Sequence, residues 1–168
     1  MKVFASVGTQ KFPFDRLLKL VDAAAAASPE DSFFAQTGNS LYIPKNFPSK
    51  PFLQKEEFEE QIRSCDLLFV HSGVGTIITA LKAGKKIVVL PRLAKYGEHV
   101  DDHQLQIAEA FAEKNLVLCC GEGDDALTLM RQAMAHSFAP YVSHRADMLS
   151  VINEYLATLQ TGGNTHGY

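Results

Sequence analysis

The stretch that decides the fold runs from His71 to Gln104, HSGVGTIITALKAGKKIVVLPRLAKYGEHVDDHQ. It reads as a strand end, a small-residue loop, a helix, a second strand, and a polar loop closing on Asp101-Asp102-His103-Gln104. A strand–helix–strand unit forms a parallel pair, so both loops leave the carboxyl ends of neighbouring strands. In open α/β sheets that edge is where ligands bind. The first loop, Ser72-Gly73-Val74-Gly75-Thr76, suits a phosphate: its glycines permit close backbone approach, and the following helix offers free N–H groups and the positive end of its dipole. The second loop carries Arg92, Lys95, Glu98, His99, Asp101, Asp102, His103 and Gln104, with donors and acceptors of the kind that sugar hydroxyls require. Side by side, the two loops suggest a nucleotide-sugar site.

Each loop also has a plainer reading. Glycines at a strand–helix turn often serve packing alone. The loop is neither a Walker loop, since no Lys follows the second glycine, nor the dinucleotide fingerprint, since the third glycine is missing. One of Asp101 and Asp102 is expected to cap the next helix. Among His71, His99 and His103 no two sit at i, i+4 on one helix as in helical zinc sites, so no metal is expected, and His71 reads as a strand-end residue facing the site.

Working outward, Val3–Val7 is a short apolar strand ending in the turn Gly8-Thr9-Gln10. Phe14–Ala26 has helical spacing of Phe14, Leu17, Leu18, Val21 and Ala25. Ser32–Gln36 is a second strand. Leu41–Leu53 holds Pro44, Pro48 and Pro51 and reads as loop, with a short extended piece near Tyr42. Gln54–Ser64 is an amphipathic helix with Phe58 and Ile62 inward and its glutamates solvated. Leu67–Val70 and Ile87–Leu90 are strands, and Thr76–Ala83 is a helix stopped by Gly84. His103–Lys114 is a helix with a buried stripe of Leu105, Ala108, Phe111 and Ala112. Leu116–Cys120 is the last strand, Asp124 caps a helix to about His136, and a final helix covers Ser143–Leu159. Phe12 and Phe47, in loops, are candidates for a partner surface. The alternation predicts one α/β domain over residues 1–160, a Rossmann-like doubly wound parallel sheet, followed by a flexible tail over 161–168.

The 168 residues are 46% hydrophobic and 21% charged, an ordinary globular composition. The net charge of -3 argues against nucleic acid held by bulk charge. Cys65, Cys119 and Cys120 are odd in number and lack zinc-ligand spacing, which points to reduced thiols and a cytoplasmic setting. The apolar run at Met1–Gln10 is too short for a secretory leader, and nothing reaches the length of a membrane span.

The pieces VGTQKFPFDRLL, QTGNS, PFL, HSGVGTIITALKAGKK, VVLPRLAKYGEHVDDHQ and IAEA, in this order from about Val3 to Leu159, resemble the C-terminal domain of glycosyltransferase family 28. The resemblance extends to the stand-alone subunits of two-component enzymes: those of bacterial exopolysaccharide synthesis, and the eukaryotic one that adds N-acetylglucosamine to a dolichol-linked sugar. It implies the donor-binding half of a GT-B enzyme. That enzyme would transfer a hexose from a UDP-sugar, with inversion and without a metal or other cofactor, to a polyprenyl-diphosphate-linked acceptor sugar. The acceptor half would be a separate membrane-associated subunit that holds this chain at the inner face of the membrane. By motif, Gly8, Thr9 and Gln10 would face the donor phosphates. Phe52 and Leu53 would border the uracil, and Ser72, Gly73, Gly75 and Thr76 would hold the diphosphate with help from Arg92. Asp102, His103 and Gln104 would read the sugar. Glu98 and His99 are the local candidates for a general base. Thr79 stands where the family commonly has a ribose-binding Glu. A non-catalytic nucleotide-sugar-binding or enhancer subunit is the alternative; an epimerase half is disfavoured because those enzymes keep both domains in one chain.

Overall fold

The central strands of the sheet divide their apolar side chains between two faces, and helices cover both. In the computed structural model, which describes residues 1–143 together with Ser150, Asn153 and Ala157, six strands form one wholly parallel sheet. They are β1 (Lys2–Ser6), β2 (Ser32–Gln36), β3 (Ser49–Lys50), β4 (Leu67–Val70), β5 (Lys86–Val89) and β6 (Leu118–Cys119), in the order β3-β2-β1-β4-β5-β6. The helices are α1 (Asp15–Ala27), α2 (Lys55–Ser64), α3 (Val74–Lys82), α4 (His103–Glu113) and α5 (Ala126–Ala135).

Alternation along the strands explains the two layers. Val3, Ala5, Leu67, Phe69 and Val88 pack with Leu17, Leu18 and Val21 of α1 and Leu129 and Met130 of α5. Phe4, Leu68, Val70, Ile87 and Val89 point the other way, onto Ile62 of α2, Ile77 and Ala80 of α3, and Ala108 and Phe111 of α4. Both faces being covered is why Leu67–Val70 reads as an unbroken apolar run with all four residues buried. The order starts outward from β1 in one direction and resumes at β4 in the other. The loops leaving β1 and β4 therefore part at the topological switch point.

Several expectations are corrected. The extended piece lies at Ser49–Lys50, not near Tyr42. It is an edge strand between prolines, offering Pro48 and Lys50 carbonyls to the Ala35 and Thr37 amides. Tyr42 is instead held against α1, its hydroxyl donating to Asp22 and its amide to Asp15. Helix α3 begins at Val74, so Gly75 and Thr76 belong to its first turn. On α4 the inward stripe is Gln104, Ala108 and Phe111, while Leu105 is exposed. Asp125, not Asp124, caps α5 by accepting from the Thr128 amide. Phe47 is buried and stacked on Phe33 at 5.8 Å, so it presents no partner surface.

Of the final helix expected over 143–159, the described residues are Ser143, which is not helical, and Ser150, Asn153 and Ala157, which are; the rest and the tail lie outside the described residues. Among the described residues no helix is long and apolar enough to cross a membrane.

Candidate functional site

A cleft of about 500 Å³ opens at the carboxyl edge of the sheet, between the loops that follow β1 and β4. Its wall from β1 is Gly8, Thr9 and Gln10; its wall from β4 and α3 is His71, Gly73, Gly75 and Thr76. Gln36 at the end of β2, with Leu53, Lys55 and Phe58, closes the far side. Gly8 has φ +77°, a left-handed conformation that glycine adopts without strain. Helix α3 has no side-chain cap, its N-cap being Gly73, so the amides of its first turn face the cleft with the positive dipole end behind them.

His71 is the titratable group at the centre. It is 6% exposed and its ring lies against the Cα atoms of Gly8 and Gly73; a Cβ on either glycine would collide with the imidazole. Burial, followed by repulsion from Arg92, pushes its pKa down to about 4, so the ring is neutral near pH 7. Gln36 ties the floor together. Its Oε1 accepts from the Leu53 amide at 3.0 Å and its Nε2 donates to the Gly8 carbonyl at 3.5 Å.

The structure divides the expected site residues into two groups. Gly8, Thr9, Gln10, Leu53, Gly73, Gly75 and Thr76 line the cleft together. Ser72 is buried beneath it and Phe52 stands half-exposed beside Leu53. The residues after β5 are placed differently. Arg92 was expected near the diphosphate but is fully buried. Its guanidinium donates to the carbonyls of Val7 at 2.6 Å, Phe12 at 2.9 Å and Glu98 at 3.1 Å, and stacks on Phe14 at 4.7 Å. It clamps the loop after β1 to the loop after β5.

Glu98 was a candidate base. Its Oε1 and Oε2 accept from Nε and an Nη of Arg16 at 2.9 and 2.8 Å, and Oε2 also accepts from the Leu93 amide. This buried carboxylate is turned onto Arg16 and does not line the cleft, so it is out of place to take an acceptor proton. Gln104, expected to read the sugar, is 4% exposed; Oε1 accepts from the Ser72 and Arg92 amides, and Nε2 faces His71 Nδ1 at 3.3 Å. Asp102 accepts from the Ala94 amide and lines a second depression of about 280 Å³, with Arg16, Lys95 and Glu122. His99 is half-buried, with Nδ1 3.1 Å from the Asp101 carboxylate and its ring beside Phe12. Asp101 also receives the His103 amide, and the His103 ring lies 3.9 Å from the same carboxylate. Thr79 is exposed on α3 and its hydroxyl donates to the Gly75 carbonyl at 2.8 Å.

Gln36, Lys55 and Phe58 join the cleft without being expected there from sequence, and His71 is more central than a strand-end residue facing the site. Two signals were present: a histidine directly before a Gly-x-Gly loop, and a polar Gln ending the apolar strand SFFAQ in register with Ser6.

Comparison with known proteins gives the family and the fold. Residues 2–144 match the glycosyltransferase family 28 C-terminal domain. The chain is 27% identical over 128 residues to the human UDP-N-acetylglucosamine transferase subunit ALG13, which covers 70% of the chain and 11% of the relative. It spans about a tenth of the length of the curated relatives it matches. Among solved structures, the glycotransferase of kitacinnamycin superposes with a TM-score of 0.61 at 18% identity, over 94% of this chain and 39% of that one. The solution structure of ALG13 superposes with a TM-score of 0.59 at 18% identity, over 89% of this chain and 93% of that one. With a doubly wound sheet, a cleft at its switch point and a family match across nearly all the described residues, the chain belongs to the glycosyltransferase family 28 C-terminal domain family.

Proposed function

We propose that the chain is the donor-binding half of a UDP-sugar-dependent inverting glycosyltransferase, working with a partner that supplies the acceptor half. The observation that carries this reading is the uncapped start of α3, opening with neutral His71 and two glycine loops onto one cleft. Such an arrangement suits a diphosphate: backbone amides, a helix dipole and an imidazole N–H supply preorganised donors and no side-chain carboxylate opposes them. In transfer, the acceptor oxygen attacks the anomeric carbon, the bond from that carbon to the diphosphate oxygen breaks, and UDP leaves with the electron pair. The amides of Gly75 and Thr76 stabilise the departing charge in place of a metal, and Leu53 and Phe52 border the base.

The acceptor proton needs a base. The residues lining the cleft include neither Asp nor Glu, and Glu98 is engaged by Arg16. Of the loop after β5, His99 beside Asp101 is the candidate that remains; the alternative is a group on the partner. The resemblance to two-component enzymes favours a membrane-associated partner, a polyprenyl-linked acceptor sugar and a role in exopolysaccharide synthesis. A non-catalytic donor-binding or enhancer subunit is the second reading, and the missing carboxylate is what favours it.

A thermal-shift panel of UDP-sugars against ADP- and GDP-sugars, with and without the co-expressed partner, tests the proposal. Saturating UDP-sugar is expected to stabilise the protein by a few kcal/mol. A preference for adenine or guanine donors defeats it. Wild-type turnover by His99→Ala in the reconstituted pair removes His99 from the mechanism.

A further inference from the structure

We infer that Gln104 is a positioning residue: it holds His71 as the tautomer with its proton on Nε2 and so presents a fixed hydrogen-bond donor to the anion at the start of α3. The presence of that anion rests on the donor-binding reading; the tautomer does not.

The argument begins with the orientation of one amide. Gln104 Oε1 lies 3.3 Å from the Ser72 amide nitrogen and 3.1 Å from that of Arg92. Two N–H donors converging on one atom require the carbonyl oxygen there, so the amide flip is determined by its neighbours. The NH2 group then faces His71 Nδ1 at 3.3 Å. An amide nitrogen offers hydrogens and no lone pair, so Nδ1 acts as acceptor. In a neutral imidazole the one proton is then on Nε2.

That atom is where the anion would meet it. The ring edge bearing Nε2 reaches between Gly8 and Gly73, both of which line the cleft. A Cβ on Gly73 would lie 2.7 Å from Nε2, so the absence of side chains there leaves the N–H open between the two loops. The charged and titratable groups bearing on the ring are Arg92 after β5, His99 in the following loop and Lys55 across the cleft on α2. Burial, then Arg92 and His99, disfavour a second proton, so the donor is neutral near pH 7.

Gln104 thus acts through His71 and joins three elements: the end of β4 through Ser72, the end of β5 through Arg92, and its own helix α4. A sugar hydroxyl is not needed to explain its conformation.

Long-range 1H–15N spectra of the histidine rings, with UDP calorimetry on the same samples, test this. Wild-type protein at pH 8 is expected to show His71 protonated on Nε2 alone. Gln104→Glu is isosteric and keeps an acceptor oxygen for the Ser72 and Arg92 amides, but replaces the donor with a carboxylate. It is expected to move the proton to Nδ1, raise the His71 pKa and weaken UDP at least tenfold. A wild-type proton on Nδ1, an unchanged tautomer in Gln104→Glu, or a moved proton with unchanged UDP affinity each overturns the inference. If Gln104→Glu does not fold, the wild-type tautomer decides alone. Wild-type protein that shows the Nε2 proton yet binds no UDP defeats the donor reading and supports the tautomer assignment.

Discussion

Replacing Arg92 with methionine should cost about 3 kcal/mol of stability and loosen the loop that carries Gly8, Thr9 and Gln10. The guanidinium donates to three carbonyls at 2.6, 2.9 and 3.1 Å. A fourth contact, to Pro13 at 3.4 Å, is too long to weigh equally. Hydrogen bonds to a charged group are worth about 2 kcal/mol each, a gross loss of roughly 6 kcal/mol. Against this, burial lowers the Arg92 pKa from 12.5 to about 10, and Nε has no partner. That shift corresponds to roughly 3 kcal/mol disfavouring the charged form, which methionine would relieve. The bonds win by about 3 kcal/mol, in keeping with the cost of breaking buried charge networks. Urea unfolding measures it: at a slope of about 2 kcal/mol/M, the midpoint falls by about 1.5 M. Arg92→Lys keeps the charge but lacks the planar fork, and should lose as much. A loss under about 0.5 kcal/mol for methionine, or full recovery with lysine, would refute the clamp.

Three further outcomes are expected. Gly73→Ala places a Cβ 2.7 Å from His71 Nε2 while its φ of -76° suits alanine, so UDP affinity should fall at least tenfold in calorimetry for a stability change within about 1–3 kcal/mol. Thr79→Glu restores the carboxylate common in the family and should tighten UDP by about tenfold or more, the worth of one charge-assisted bond; unchanged affinity would remove that position from ribose binding. Stability should fall as pH drops from about 6.5 to about 4, because the unfolded chain takes up a proton that folded His71 refuses. The His71 contribution is about 3 kcal/mol over that window, and His71→Asn should flatten the pH dependence of the urea midpoint by that amount.

The fold was legible because its signals are local. Leu67–Val70 and Val3–Ala5 are continuous apolar runs, as strands covered on both faces must be, and Gly73-Val74-Gly75 marks the turn into α3. Ser49–Lys50 was not legible, since a two-residue edge strand between prolines carries no period. Half of the cleft shared this local character: Gly8 and Gly73 stand where a Cβ would collide with His71, and glycines at strand ends are visible from residue type alone.

The other half depended on partners distant in the chain. Whether Glu98 is a base or a brace is decided by Arg16 on α1, and Arg92 is turned inward by the Val7 and Phe12 carbonyls. Polar side chains after a strand's carboxyl end have two competing uses, reading a ligand or tying neighbouring loops together, and burial separates them. In this chain the loop after β5 is mostly ties. The consequence is chemical: with Arg92, Glu98 and Gln104 engaged inside the fold, positive potential in the cleft comes from backbone amides, the α3 dipole and Lys55, with His71 adding a neutral N–H donor. On the donor-binding proposal, a site so built would hold its anion through preorganised dipoles rather than a buried cation. UDP affinity should therefore fall only modestly with added salt, and a steep salt dependence would show that an exposed cation such as Lys55 dominates the binding.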